Sequence, residues 1–146
     1  MAEYHVAWWN LENLFDVENS QNRSAHLQSV IKNELAGWDQ TVLSKKLSQL
    51  SSIIVQMNND SGPDILGVCE VENKPVMDRL VTSLNSLNRN YKVAHHDCSD
   101  ERGIDVAFIY DGDKFTFKRA RSKTAERVRR RILQTISSRS LRELTV

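Results

Sequence analysis

The chain is organised around residues 63–73, which read PDILGVCEVEN. Turn residues open this stretch, and a short apolar run over 65–69 follows them. A short apolar run bounded by polar residues predicts a strand that is covered on both faces, and Gly67 argues further against a helix. The run ends at Glu70, so a carboxylate lies where the strand leaves its sheet. In open α/β sheets, ligands bind at this carboxyl edge.

The rest of the chain alternates between strand and helix patterns. Aromatic and β-branched residues predict a first strand over 4–9, with Asn10 at its end. Apolar spacings of three and four predict helices over 41–57 and 75–87, and a weaker helix over 27–35. Further strands are predicted over 91–95, 104–110 and 114–118, the last paired back on its neighbour. This order predicts an α/β fold in which the helix over 41–57 packs on the sheet that contains residues 65–68.

Length and composition bound the class of protein. The chain has 146 residues, which corresponds to one domain by the usual prior. Its first residues lack the apolar core of a signal peptide, and no apolar run approaches the length of a membrane span. Two cysteines at unrelated positions are typical of a reducing compartment. A cytoplasmic location is therefore expected.

The net charge of +1 conceals an uneven distribution. Residues 1–117 carry 10 Lys and Arg against 17 Asp and Glu, whereas residues 118–146 carry 10 against 2. Apolar residues in the segment 119–146 recur at roughly helical spacing, and they include Ile136. A basic helical tail of this kind could bind nucleic acid or an anionic membrane surface. The alternative is a replacement tail, produced by a frame shift or an early stop in a longer gene.

Two polar residues follow predicted central strands. If those strands are adjacent and parallel, the side chains of Asn10 and Glu70 emerge at one edge of the sheet. An amide oxygen and a carboxylate are hard ligands suited to Mg²⁺ or Mn²⁺. A turn or capping role is the simpler interpretation of either residue taken alone.

Three short blocks resemble the endonuclease/exonuclease/phosphatase family, which includes deoxyribonuclease I-like enzymes. The blocks are WWNLENLFD at 8–16, PDILGVCEVEN at 63–73 and DERGIDVAFIYD at 100–111, and the resemblance covers about residues 4–118. It implies the N-terminal half of a four-layer α/β sandwich, with one mixed sheet and its covering helices. It also implies a Mg²⁺- or Mn²⁺-dependent hydrolase, most simply a nuclease or phosphodiesterase that uses a metal-activated water. The substrate would be nucleic acid or another phosphodiester or phosphomonoester.

The resemblance also implies roles for individual residues. Asn10 and Glu70 match the positions that hold the family's catalytic cation, and Glu70 is the catalytic candidate. Arg102 is placed where it could bind a substrate phosphate, and Glu72 and Asn73 could orient Glu70 from behind.

Three further polar residues are expected to have no catalytic or ligand role. Asp105 lies inside an apolar run, so an internal partner is expected rather than a catalytic role. His95 and His96 are expected to be neither base nor ligand, because the family's catalytic His comes late in a longer domain.

The departures from the family concern its second half, which supplies further Asp, Asn and His residues to catalysis. Residues 119–146 contain none of these three residue types. Impaired activity is therefore expected from this sequence. The alternative is an inactive half-domain or truncated product that binds nucleic acid through the arginine-rich tail, or that self-associates through an exposed sheet edge.

Overall fold

The computed structural model describes residues 3–96, 105–118 and 136–138. Within them the elements confirm the α/β plan. In chain order they are β1 (Val6–Leu14), α1 (Ala25–Val30), α2 (Gln40–Asp60), β2 (Ile65–Val71), α3 (Lys74–Thr82), a 3₁₀ turn (Asn85–Leu87), β3 (Tyr91–His96), β4 (Asp105–Asp111), β5 (Phe115–Phe117) and β6 (Ile136–Ser138).

One mixed sheet has the strand order β1-β2-β4-β3. β1 and β2 are parallel neighbours, and β4 runs antiparallel to both β2 and β3. β1, β2 and β3 therefore end at the same edge of the sheet, where β4 begins. The adjacency that would bring Asn10 and Glu70 together is present.

The two faces of the sheet are covered differently. On one face the buried stripe of α2, which includes Leu43 and Leu47, packs with Leu66 and Val68 as the sequence predicts. On the other face, the aromatic residues of β4 pack with Phe115 of β5. At the β1 margin of this second face, Val6 is 55% exposed and Trp8 is 41% exposed.

The predicted helices are right in place and partly wrong in extent. The weak helix expected over 27–35 is α1, which is capped by Ser24 and ends at Val30. It ends early because the chain then turns to bury Ile31 and Leu35 beside Phe15. The helix expected over 75–87 divides into α3 and the 3₁₀ turn.

Two predictions about strands and one about a helix are corrected. β1 does not end at Asn10 but continues to Leu14. β5 pairs with β6 rather than with β4. Ile136 was predicted to lie in a basic helix, yet it belongs to strand β6. The remainder of that tail lies outside the described residues.

The edge of the sheet where β2 begins is closed by a charged network. Asp64 accepts hydrogen bonds from the backbone N–H of His5 and from Arg89, and Lys114 Nζ lies 2.6 Å from its Oδ1. Arg89 Nε also lies 3.1 Å from Asp111 Oδ2. This network ties β2 to the strands beside it at the edge opposite to Glu70.

Within the part of the chain that the structure describes, none of the helices has the length and apolar character to cross a lipid bilayer.

Candidate functional site

The side chains of Asn10 and Glu70 meet at the carboxyl edge of β1 and β2. Asn10 Nδ2 donates a hydrogen bond to Glu70 Oε1 at 2.8 Å, although the two residues are 60 positions apart in sequence. Asn10 is exposed and Glu70 is half-buried. The contact therefore leaves this pair accessible from solvent.

Bulges in both strands create this arrangement. Asn10 is paired with Cys69, and the regular ladder resumes only at Leu14 and Val71. Val68 and Val71 both pack in the core beneath α2, although they are three residues apart. A regular strand would send them to opposite faces, so Glu70 is an extra residue that the bulge turns outward.

The bulges place three non-glycine residues in the left-handed backbone region. The φ angles are +52° at Glu12, +61° at Asn13 and +62° at Glu70. Such a conformation costs on the order of 1 kcal/mol or more for a residue with a Cβ. Local strain of this size clusters at functional sites, where surrounding contacts maintain it.

Contacts from neighbouring elements hold the bulge of β1. Asn10 Oδ1 accepts a hydrogen bond from the backbone N–H of Glu12 at 2.8 Å. Lys46 of α2 donates to the Glu12 carbonyl oxygen at 3.3 Å, and Asn13 Nδ2 donates to Glu34 Oε2 at 3.4 Å. The position of Asn10 is thus set both by the sheet and by α2.

The donor set fits a hard cation. It offers the Glu70 carboxylate and the Asn10 amide oxygen, which accepts one hydrogen bond from Glu12 and keeps a second lone pair. Mg²⁺ commonly uses one or two carboxylates while it keeps several waters. Among the described residues, no three His, Cys, Asp or Glu side chains come together in a metal-binding group. Oxygen donors such as a carboxylate and an amide suit Mg²⁺ or Mn²⁺, whereas structural Zn²⁺ sites are built mainly from Cys and His.

Glu72 forms a buried ion pair with Arg23. Arg23 Nη2 lies 2.6 Å from Glu72 Oε2, Arg23 Nε donates to Glu72 Oε1 at 2.9 Å, and the side chains are 0% and 1% exposed. Glu72 also accepts from the backbone N–H of Asp16 at 2.8 Å and from Asn73 Nδ2 at 3.1 Å. Asn73 caps α3 through Val76. In the described part of the chain, the hydrogen bonds of Glu72 and Asn73 go to these partners and not to the side chain of Glu70.

Arg23 connects Glu72 to the loop that follows β1. It donates to the carbonyl oxygens of Asp16 at 2.9 Å and Glu18 at 2.8 Å. Burial raises the pKa of Asp16. Hydrogen bonds from Ser20, from a backbone N–H and from Asn22, together with the charge of Arg79, lower that pKa by more than burial raises it, so the net pKa lies below the ordinary value. Asp16 therefore stays charged at the point where the loop leaves the sheet.

The remaining sequence candidates fall into two groups. Asp105 has the internal partner that its burial required, because its Oδ2 lies 3.1 Å from His95 Nε2 and both side chains are 5% exposed. Arg102 lies outside the described residues, so its expected role as a phosphate ligand remains a prediction.

Sequence reasoning missed Arg23. It stands in a polar stretch without periodicity, where a solvated arginine is the ordinary expectation. The sequence feature that could have indicated a buried cation was Glu72, the partner of Arg23. Glu72 lies directly after a buried strand, and a buried carboxylate requires a cationic or hydrogen-bonding partner.

A model of the Endonuclease/Exonuclease/phosphatase family matches residues 5–139. The match continues beyond residue 118, where the resemblance inferred from the three motif blocks ends. Searches of curated proteins and of solved structures gave no significant match.

Proposed function

The chain belongs to the endonuclease/exonuclease/phosphatase family, and we propose that it is a metal-dependent hydrolase of phosphate esters whose Mg²⁺ or Mn²⁺ is held by Asn10 and Glu70. Its activity is proposed to be impaired, because residues 119–146 carry none of the Asp, Asn and His residues that the family's second half supplies to catalysis. The observation that carries the proposal is the 2.8 Å contact between these two side chains at the shared edge of β1 and β2. The outward turn of Glu70 at its bulge supports it further, since strained backbone of this kind clusters at functional sites.

Each residue has a distinct task in this proposal. Glu70 supplies the negative charge that attracts the cation, and Asn10 orients that carboxylate and adds an amide oxygen. A bound Mg²⁺ would polarise a phosphoryl oxygen and help to activate the attacking water. Lys46 and Glu34 keep the β1 bulge in place, so that Asn10 stays at the edge of the sheet.

The substrate class is a phosphodiester, with nucleic acid as the leading candidate, and Arg102 is proposed to bind one of its phosphates. Family membership supports nuclease and phosphatase chemistry in general. We also propose that the mixed sheet is one half of a four-layer sandwich, with α2 on its outside. The exposed margin at Val6 and Trp8 supports this arrangement, because a second layer would cover it.

The test compares Glu70→Gln with Asp78→Asn, a substitution of the same kind at a carboxylate that is 52% exposed on α3. Mn²⁺ affinity and Mg²⁺-dependent cleavage of duplex DNA and of bis(p-nitrophenyl) phosphate would be measured. Glu70→Gln should lower both by about a hundredfold or more, since even an outer partner of a metal ligand contributes roughly 10–100-fold. Asp78→Asn should change neither. Equal affinity and rate in Glu70→Gln and in the unaltered protein would refute the proposal.

A second candidate function rests on the arginine-rich segment. Arg127, Arg129, Arg130 and Arg131 follow one another within five positions, and such a cluster favours binding to nucleic acid phosphates without catalysis. Replacing these four by Gln should weaken duplex DNA binding and reduce its salt dependence by about four ion contacts. Unchanged binding would exclude this role for the segment, and the Glu70→Gln variant separates it from catalysis.

A further inference from the structure

Two successive connections join β1 to β2 just beyond the proposed cation site. The backbone N–H of Glu72 donates to the Leu14 carbonyl oxygen at 3.1 Å, and the backbone N–H of Asp16 donates to Glu72 Oε2 at 2.8 Å. Both connections depend on where Glu72 lies. We call Arg23, Glu72 and Asp16 the Arg23 clamp.

Arg23 fixes the carboxylate of Glu72 from the opposite side. Its planar guanidinium engages both carboxylate oxygens, a geometry that sets orientation as well as distance. The same guanidinium donates to two carbonyl oxygens of the loop after β1, those of Asp16 and Glu18. One side chain thus joins the exits of both strands that carry the site.

The residues just before the clamp need such support. Glu12, Asn13 and Glu70 all have left-handed backbone, and each lies between the regular ladder and the clamp. Strained backbone persists only where the surroundings determine it from both sides. The ladder up to Asn10 and Cys69 provides one side, and the clamp provides the other.

Stability by itself does not account for the choice of these residues. A buried ion pair is often no more stabilising than apolar side chains of similar volume. What the pair adds here is a fixed geometry two residues after Glu70. The partners that orient metal ligands from behind have this kind of effect on affinity.

We infer that Arg23 is a positioning residue for the cation site: through Glu72 it holds the exits of β1 and β2 at the separation that lets Asn10 and Glu70 share one cation. The inference rests on the proposed function. It assigns to Glu72 a different route from the one that the sequence suggests, since Glu72 acts through the backbone of β1 and not by a hydrogen bond to the Glu70 side chain.

The test uses the paired substitution Arg23→Met with Glu72→Gln, which removes both charges and leaves no lone buried ion. The matched control is Arg89→Met with Asp64→Asn and Asp111→Asn, which removes Arg89 together with both of its carboxylate partners at the opposite edge of the same sheet. Mn²⁺ affinity is measured by calorimetric titration, and unfolding is followed for each variant without metal. The clamp variant should bind Mn²⁺ roughly tenfold or more weakly, while the control should bind it as the unaltered protein does.

The outcomes separate the two proposals. If the unaltered protein binds Mn²⁺ and the clamp variant binds it equally well, the inference fails and the proposed function stands. Equally weakened Mn²⁺ binding in the clamp variant and in the control would mean a general loss of stability, which also overturns the inference. If the unaltered protein does not bind Mn²⁺, both proposals fall. If the paired variant does not fold, Arg23→Lys tests the inference instead, because lysine keeps the positive charge but lacks the planar guanidinium. This variant should retain the fold and lose Mn²⁺ affinity.

Discussion

Replacing Arg23 by Met alone should remove a large part of the stability of the fold. The substitution leaves the carboxylate of Glu72 without its cation at 1% exposure and strips the donors from two carbonyl oxygens. Breaking a buried ion pair from one side costs about 3–5 kcal/mol, compared with a total of about 5–15 kcal/mol for a typical domain. Adding Glu72→Gln should recover part of this loss, because the lone charge is then removed.

The assay is urea unfolding, followed by circular dichroism and by the fluorescence of the three tryptophans. With a slope of about 2 kcal/mol per molar urea, a loss of about 4 kcal/mol lowers the midpoint by about 2 M. The matched control is Lys74→Met, which breaks an ion pair of 2.7 Å whose side chains are 54% and 52% exposed. That substitution should cost about 0.5 kcal/mol. Equal midpoints for Arg23→Met and Lys74→Met would refute the reasoning.

Three further outcomes follow from other contacts. Burial raises the pKa of Asp64, but Lys114 and its other partners lower it below 3.8 overall; stability should therefore fall as the pH drops below about 4, and Asp64→Asn should flatten that dependence in urea midpoints measured from pH 6 to pH 2. A Cβ on Gly67 would lie 2.2 Å from Trp8 Cε3, so Gly67→Ala should cost about 1–3 kcal/mol and shift tryptophan emission; unchanged emission would contradict this. Ile54 is fully buried, so Ile54→Ala should lower the free energy of unfolding by about 2–5 kcal/mol. The neighbouring Ile53 is 47% exposed, so Ile53→Ala should lower it far less.

Residue patterns were sufficient to identify most of the strands and helices, but not the order of the strands in the sheet. The apolar run of β2 predicts a strand covered on both faces, and the helical apolar stripe of α2 predicts a helix with one buried face; the two pack together in the core. The meeting of Asn10 with Glu70 followed once β1 and β2 were taken as parallel neighbours. These features depend on periodicity, which is a property of the sequence itself.

The bulges and the Arg23 clamp could not be predicted from such patterns. Left-handed backbone is normally signalled by Gly or Asn, and Glu12 and Glu70 carry no such signal. Tertiary contacts impose their conformation. Arg23 was missed for the same reason, since its partner lies 49 positions away and only the folded chain brings them together. β5 was assigned to the wrong partner because an alternating pattern identifies a strand without naming its neighbour.

The parallel pairing of β1 with β2 also has a kinetic consequence. Its defining contact closes a loop of 60 positions, whereas β3 and β4 meet across a much shorter connection, with His96 opposite Val106. Because closing longer loops costs more chain entropy before any contact repays it, we expect the β3–β4 hairpin to form early and the Asn10–Glu70 contact to form late. A cation present during refolding would then act mainly by slowing unfolding of the finished sheet, and the rate of folding would hardly respond to it.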